Sequence, residues 1–298
     1  MDDSKDDRPI VVGVDRSDSA RDAVGWAADI AAILRTPLHL LTVNPDEGAD
    51  AAIPGWLAEL RDAAVRTGAE SAVVEVASGG VVEVVADRAR RARMLVLGSY
   101  GEGAWSGMLA GTVALTLLTR VDCPIAVIRG TAPQVPPPRG GPVVVGVDGS
   151  PASRAALGLA ADLATTLGSR LVAVHAWSDI TFGADGAARR SREDDSVHAA
   201  HAAAVLDTEL PAVTRDHPGL QVHRVVVADT PLRALLAAAD GARLLVVGHR
   251  GIAAGPGRSL GSTSRALIEF VPCPVVVTGH EAHLQTAAHA RQVTGASW

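Results

Sequence analysis

The chain alternates short unbroken apolar runs with longer stretches in which apolar residues recur every three or four positions. Residues 10–14 form a Val-rich run without polar alternation, the mark of a strand buried on both faces, and further strands are predicted over residues 38–43, 72–76, 94–97 and 125–128. Between the first two runs, Ala20, Val24, Ala27, Ala31 and Leu34 keep helical spacing behind an N-cap offered by Ser17 or Asp18. Further helices are predicted over residues 56–67, 81–92 and 111–121. The basic run 88–93 falls at the end of the second of these, where cations suit the helix dipole, and reads as a solvated helix end. Strands separated by helices imply crossover connections and a parallel sheet covered on both faces.

The pattern then repeats. Residues 10–15 (IVVGVD) recur as residues 143–148 (VVVGVD), an offset of 133. Residues 94–98 (MLVLG) recur as 244–248 (LLVVG), and 122–125 (DCPI) as 272–275 (PCPV), both at an offset of 150. An insertion of 17 residues therefore lies near 177–205, where the charged stretch 189–195 predicts a surface loop running into a longer helix. The expected organisation is a first domain over residues 1–132, a Pro-rich linker over 133–140, a second domain over 141–280 and a tail over 281–298. Each domain is expected to be an α/β unit with an open five-stranded parallel sheet. Its fifth strand, 125–128 or 275–278, is apolar and would lie at a sheet edge, a pairing liability that proteins cover. Two tethered copies supply each other's cover, which predicts an intrachain pseudo-dimer with the fifth strands antiparallel at its centre.

Composition narrows the chemistry. Of 298 residues, 48% are hydrophobic but only 3% aromatic, so the cores must be aliphatic. The net charge of −6 gives no electrostatic support for a nucleic-acid or anionic-membrane surface. Lys5 is the single lysine among 27 basic residues, and it stands in a charged N-terminal stretch, which excludes a P-loop NTPase and a pyridoxal enzyme. The opening MDDSKDDRP is unlike a secretory leader, and the apolar stretch around residues 20–34 is broken by Asp22 and Asp29. A protein of the cytoplasm, without a membrane span, is the expectation. Cys123 and Cys273 provide neither a disulfide framework nor a zinc site and read as small buried hydrophobes.

The chemistry concentrates after the fourth strand. Gly98 and Gly101 are followed nine residues later by Gly111-Thr112, and Gly248 and Gly251 by Gly261-Ser262. Glycine at a strand's C-terminal edge permits a tight turn and close approach of a ligand to the backbone. A Gly-Ser or Gly-Thr at a helix start adds free N–H groups, a hydroxyl and the positive end of the helix dipole, an anion cradle suited to phosphate. Without lysine it is equipped to hold a phosphate chain rather than to cleave one.

Both copies resemble universal stress protein domains of the nucleotide-binding type. The resemblance rests on the motif G-x2-G-x9-G-S/T after strand four, on Asp15 and Asp148 at the end of strand one, and on the C-P dipeptides before strand five. It covers residues 9–130 and 141–280 and implies strand order 3-2-1-4-5 with ATP, with or without Mg2+, across the C-terminal strand edges. Carried over by position, Asp15 and Asp148 would meet the ribose, the backbone of Val43 and Ala176 the adenine, and Gly98, Gly101, Gly111 and Thr112 the triphosphate. Gly248, Gly251, Gly261, Ser262, Thr263 and Ser264 would do the same in the second copy. The first copy departs from the family's G-S-V-S at Val113-Ala114, and the second carries Pro256 in its loop, so unequal affinities are expected. The family's fifth strand commonly pairs across a two-fold axis, which leaves a homodimer of chains open.

Bland readings stand beside these. Asp15 and Asp148 are weighed as helix N-caps, His175 as a packing residue, His249 and Arg250 as loop residues, and Tyr100 as a shield over the site. Residues 78–80 (SGG) echo a pyrophosphatase loop but follow the wrong strand and read as a turn. No catalytic triad or metal-ligand rhythm is present in the sequence. The expected function is an ATP-binding sensor or regulator in stress response. The alternatives are a slow ATPase or adenylate-transferring enzyme, for which His249 is the one acid/base candidate, and an interaction scaffold with one degenerate site.

Overall fold

The computed structural model describes residues 8–44, 52–101, 111–131, 135–178, 180–182, 188–190, 195–251 and 259–279. Its first half runs β1 (Ile10–Gly13), α1 (Asp18–Leu34), β2 (Leu38–Val43), α2 (Gly55–Thr67), β3 (Ala72–Ala77), α3 (Val81–Ala89), β4 (Met94–Gly98), α4 (Thr112–Leu117) and β5 (Ile125–Ile128). The second half repeats this as β6 (Val143–Gly146), α5 (Pro151–Thr166), β7 (Leu171–Trp177), a small hairpin β8 (Ile180–Phe182) and β9 (Ala188–Arg190), α6 (Asp195–Asp216), β10 (Val222–Ala228), α7 (Pro231–Ala238), β11 (Leu244–Val247), α8 (Ser262–Phe270) and β12 (Val275–Val277). The insertion runs into a longer helix, the 22-residue α6, as the sequence predicts, and carries the hairpin β8–β9 where the sequence suggested a loop. Helices α3 and α4 end earlier than their periodicity predicts, because the chain leaves helical geometry through turns before β4 and β5. The expected tail at 281–298, the start of the linker and residues 191–194 lie outside the described residues.

Ten strands form one sheet in the order β10-β7-β6-β11-β12-β5-β4-β1-β2-β3. Each half contributes five parallel strands in the order 3-2-1-4-5, as the repeat and the resemblance imply. At the centre β12 runs antiparallel to β5, with Val275 opposite Val127, Val276 opposite Ala126 and Val277 opposite Ile125. The tethered apolar edges thus cover one another.

Side-chain alternation along the strands splits the interior into two layers that both run through the two halves. One packs Ile10, Val12, Val143 and Val145 against α1, α2, α5 and α6. The other packs Val11, Leu95, Val144 and Leu245 against α3, α4, α7 and α8. Apart from Trp26 and Met94, the buried members of these layers are aliphatic residues and Cys, with Ile and Leu making up the largest fully buried side chains. Ala-rich faces on α1 and α5 let these helices approach the sheet closely: Ala23, Ala27 and Ala31 are fully buried, as are Ala156, Ala160 and Ala164. Among the described residues no helix is long and apolar enough to cross a membrane.

Candidate nucleotide site

The C-terminal ends of β6, β7 and β11 and the starts of α5 and α8 surround a cavity of about 530 Å³ in the second half. This is within the range that holds drug-sized ligands. Its placement follows from topology. In the order 3-2-1-4-5 the connections from strands one and four leave toward opposite faces, and a crevice opens between them.

Asp148 is held at that crevice by a local turn: its Oδ1 accepts from Ser150 N at 2.9 Å, and its own N–H donates to Ser153 Oγ at 3.3 Å. Asp15 repeats the first contact with Ser17 N at 2.9 Å. Neither aspartate caps the following helix. The caps are Ser17, accepting from Ala20 N, and Ser150, accepting from Ser153 N, both at 3.1 Å. The second oxygen of each carboxylate faces the glycine motif. A Cβ at Gly101 would lie 3.0 Å from Asp15 Oδ2, and one at Gly251 would lie 2.6 Å from Asp148 Oδ2.

The glycines divide into two kinds. A Cβ at Gly98 would lie 2.9 Å from the Ser19 carbonyl carbon, and one at Gly248 would lie 2.9 Å from that of Ala152. Those first glycines let the strand end press against the first turn of α1 or α5. Gly111 and Gly261 are the N-cap residues of α4 and α8, and their N–H groups donate to Ser99 O at 2.9 Å and His249 O at 3.0 Å. Each bond closes the loop so that the helix start returns to the strand end.

Of the sequence candidates, Asp148, Ala176, Gly248, Gly251, Gly261, Ser262, Thr263 and Ser264 all line the one cavity. Ser264 is already committed, since its Oγ donates to Gly248 O at 2.8 Å. In the first half Asp15 and Gly101 converge in the same way, Val43 ends β2, and Thr112 opens α4 behind Gly111. Residues 102–110 and 252–258, with Pro256, lie outside the described residues.

Sequence reading missed part of the wall. Pro231 and Leu235 of α7 add an apolar part to the lining, and their only signal was a Pro at a helix start after β10. His175 also lines the cavity while its Nδ1 donates to Val147 O at 2.7 Å, so its packing and site positions coincide. His249 is 3% exposed, and the wall takes Gly248 and Arg250 on either side of it. Burial pushes the thiols of Cys123 and Cys273 up to about 12, so both stay protonated at neutral pH. Among the described residues no group of three or more His, Cys, Asp or Glu is placed to hold a metal ion.

The sequence profile of the universal stress protein family matches residues 8–129 and again residues 141–279. The chain belongs to the universal stress protein family. The family's tandem members include relatives that align over nearly their whole length. Universal stress protein Rv2623 of Mycobacterium tuberculosis (strain ATCC 25618 / H37Rv) is 32% identical over 291 residues, covering 90% of this chain and 95% of the relative. Universal stress protein Rv2005c of the same strain is 34% identical over 291 residues, covering 90% and 96%. In fold, the chain is similar to a universal stress protein from Archaeoglobus fulgidus DSM 4304, with a TM-score of 0.66, 19% identity and coverage of 92% and 98%. It is also similar to a protein of unknown function from Pseudomonas aeruginosa PAO1, with a TM-score of 0.66, 15% identity and coverage of 97% and 99%.

Proposed function

We propose that this universal stress protein binds ATP at the C-terminal strand edges and acts as a nucleotide-dependent sensor or regulator in stress response. The halves are read as domains over residues 1–132 and 141–280. The observation that carries the reading is the convergence, on one cavity of about 530 Å³, of an aspartate, the glycine turn and the hydroxyl-bearing N-terminus of α8. The parts suit the ligand. The turn and helix start offer N–H donors and a positive dipole end to phosphate, the aspartate offers an acceptor to ribose hydroxyls, and Pro231 and Leu235 with the Ala176 backbone offer a flat apolar wall to adenine. Glycine is required at position 251 because any Cβ there would displace the Asp148 carboxylate. A magnesium ion would arrive with the triphosphate rather than in a site built by carboxylates.

Two measurements test this. Denaturing the purified protein and identifying released small molecules by mass spectrometry should show an adenine nucleotide. Calorimetry on stripped protein should show ATP binding that is lost when Gly101→Glu and Gly251→Glu are combined, with the circular dichroism of the fold retained. Unchanged ATP affinity in that double variant would refute the assignment.

A further inference from the structure

The two cradles align position for position and differ in charge at several places beside the glycine turn. In the first half Asp18 and Asp22 stand on the first turns of α1, whereas α5 carries Pro151 and Ala155 at the matching positions. Burial first, and then both carboxylates, hold the phenol of Tyr100, inside the glycine turn, above its usual pKa of 10.0. Position 250, the counterpart of Tyr100, is Arg250. Its guanidinium is anchored on the rim by Nε donating to Ser259 O at 2.7 Å and by Nη2 donating to Ser259 Oγ at 3.3 Å, and it lines the cavity. Asp18 is offset by Arg21, but Asp22 is held above its usual range by burial first and by Asp18 second, so the first mouth already carries crowded negative charge. Arg16, which has Gly149 as its counterpart, is turned away toward α2, with its guanidinium 5.8 Å from the Trp56 ring centre.

Hydrogen bonding points the same way. In the first half Ser19 Oγ accepts from Tyr100 N at 3.4 Å and shares Ser99 N, at 2.7 Å, with Ile128 O at 3.1 Å, so both amides that open the glycine turn are engaged. The second half has Ala152 at that position, without a hydroxyl. Beyond the helix start, Val113 and Ala114 replace the hydroxyls of Thr263 and Ser264.

We propose that the two sites take different ligands: the second half takes the polyphosphate nucleotide, and the first takes an adenine nucleoside carrying one phosphate or none. The inference rests on the nucleotide-binding reading above and assigns a ligand class to each half. A triphosphate brings close to four negative charges, which Arg250 attracts and Asp18, Asp22 and the occupied turn amides oppose. A nucleoside places no such charge on the turn, and Asp15 keeps an acceptor for its ribose.

Calorimetry on the full chain, titrated separately with ATP, AMP and adenosine, decides this. The chain carrying Gly101→Glu should keep the tight ATP site within about threefold. The chain carrying Gly251→Glu should bind ATP at least tenfold more weakly than wild type while binding AMP or adenosine more tightly than ATP. Arg250→Ala, a milder change on the surface, should weaken ATP by about tenfold and leave adenosine affinity unchanged. In the Gly251→Glu background, combining Asp22→Ala with Tyr100→Arg should recover tenfold in ATP affinity. Equal ATP affinity in the two glycine variants, or loss of the tight site on Gly101→Glu, would overturn the inference and leave the nucleotide reading standing. Absence of binding for all three ligands would overturn both.

Discussion

Single residues in this site carry duties that the glycine motif by itself does not separate. Gly98 and Gly248 are packing residues: a methyl group at 98 would lie 2.5 Å from Ser19 Oγ and 2.9 Å from backbone carbon. Gly98→Ala is therefore expected to cost roughly 1–3 kcal/mol of stability by overpacking, read as a shift in the urea midpoint. Gly251→Ala acts differently, because its methyl meets the movable end of Asp148. Stability should change little while ATP affinity falls, and an equal loss of stability in both variants would show the distinction to be wrong. The cysteines provide a further check at this scale. With thiols held up to about 12, neither Cys123 nor Cys273 should react with an aromatic disulfide at mildly alkaline pH in the native protein. Rapid labelling would mean that the β4–β5 and β11–β12 region opens. Gly101 and Gly251 were legible from spacing because the glycine turn is local, and the two aspartates from the repeat and the family resemblance. The anchoring of Arg250 by Ser259 was not, since two loop residues meet only after the chain has closed.

At the level of elements the two halves have diverged under the same strands. In the first half His39 on β2, Glu75 on β3 and Arg88 on α3 form a linked group: His39 Nε2 is 2.9 Å from Glu75 Oε2, and Arg88 Nη2 is 2.6 Å from Glu75 Oε1. Their counterparts are Val172, Val225 and Ala238, which line a cavity of about 400 Å³ between β10 and α7. Hydrogen bonding from Arg88 holds the Glu75 carboxyl below its usual range. Burial lowers the His39 pKa from its usual 6.5, outweighing the pull of Glu75 in the other direction. Both shifts make acid destabilising. Below about 6.5 the unfolded chain takes up a proton on His39 before the folded chain does, and the contribution of Glu75 is lost as pH falls through its depressed folded value. The thermal midpoint should therefore decline from about pH 7 to about pH 4, with a shallower slope in the chain carrying His39→Val, Glu75→Val and Arg88→Ala. Identical slopes would mean that other groups govern acid sensitivity. Nothing in the local pattern of β2 or β3 marked this trio, because its members come from three separate elements.

Across the whole molecule, the halves are joined through the sheet and through both apolar layers rather than by the linker alone. Residues of β5 and β12 are at most 1% exposed. Val127→Pro would remove a donor from the central ladder and is expected to separate the halves' unfolding into two transitions or to cause aggregation. A soluble variant with a single unshifted transition would count against this account of the centre. Arg129, just after β5, donates across the junction to Ile268 O at 3.4 Å and to Glu269 O, near the C-terminal end of α8, where a cation also suits the helix dipole. Arg129→Ala should cost about 1.5 kcal/mol, the low end for a charged hydrogen bond because the side chain is half-buried, measured by equilibrium unfolding. The repeat, the order of strands and helices that the two halves share, the aliphatic cores and the positions of the turn glycines follow from the sequence alone. They depend on periodicity and on local backbone demands, which each segment carries in itself. Tertiary structure alone decided which donors of the glycine turn Ser19 consumes, which side chains stand at each mouth, and that α7 closes one wall. Those outcomes depend on distances between residues far apart in the chain, and no local pattern encodes such distances.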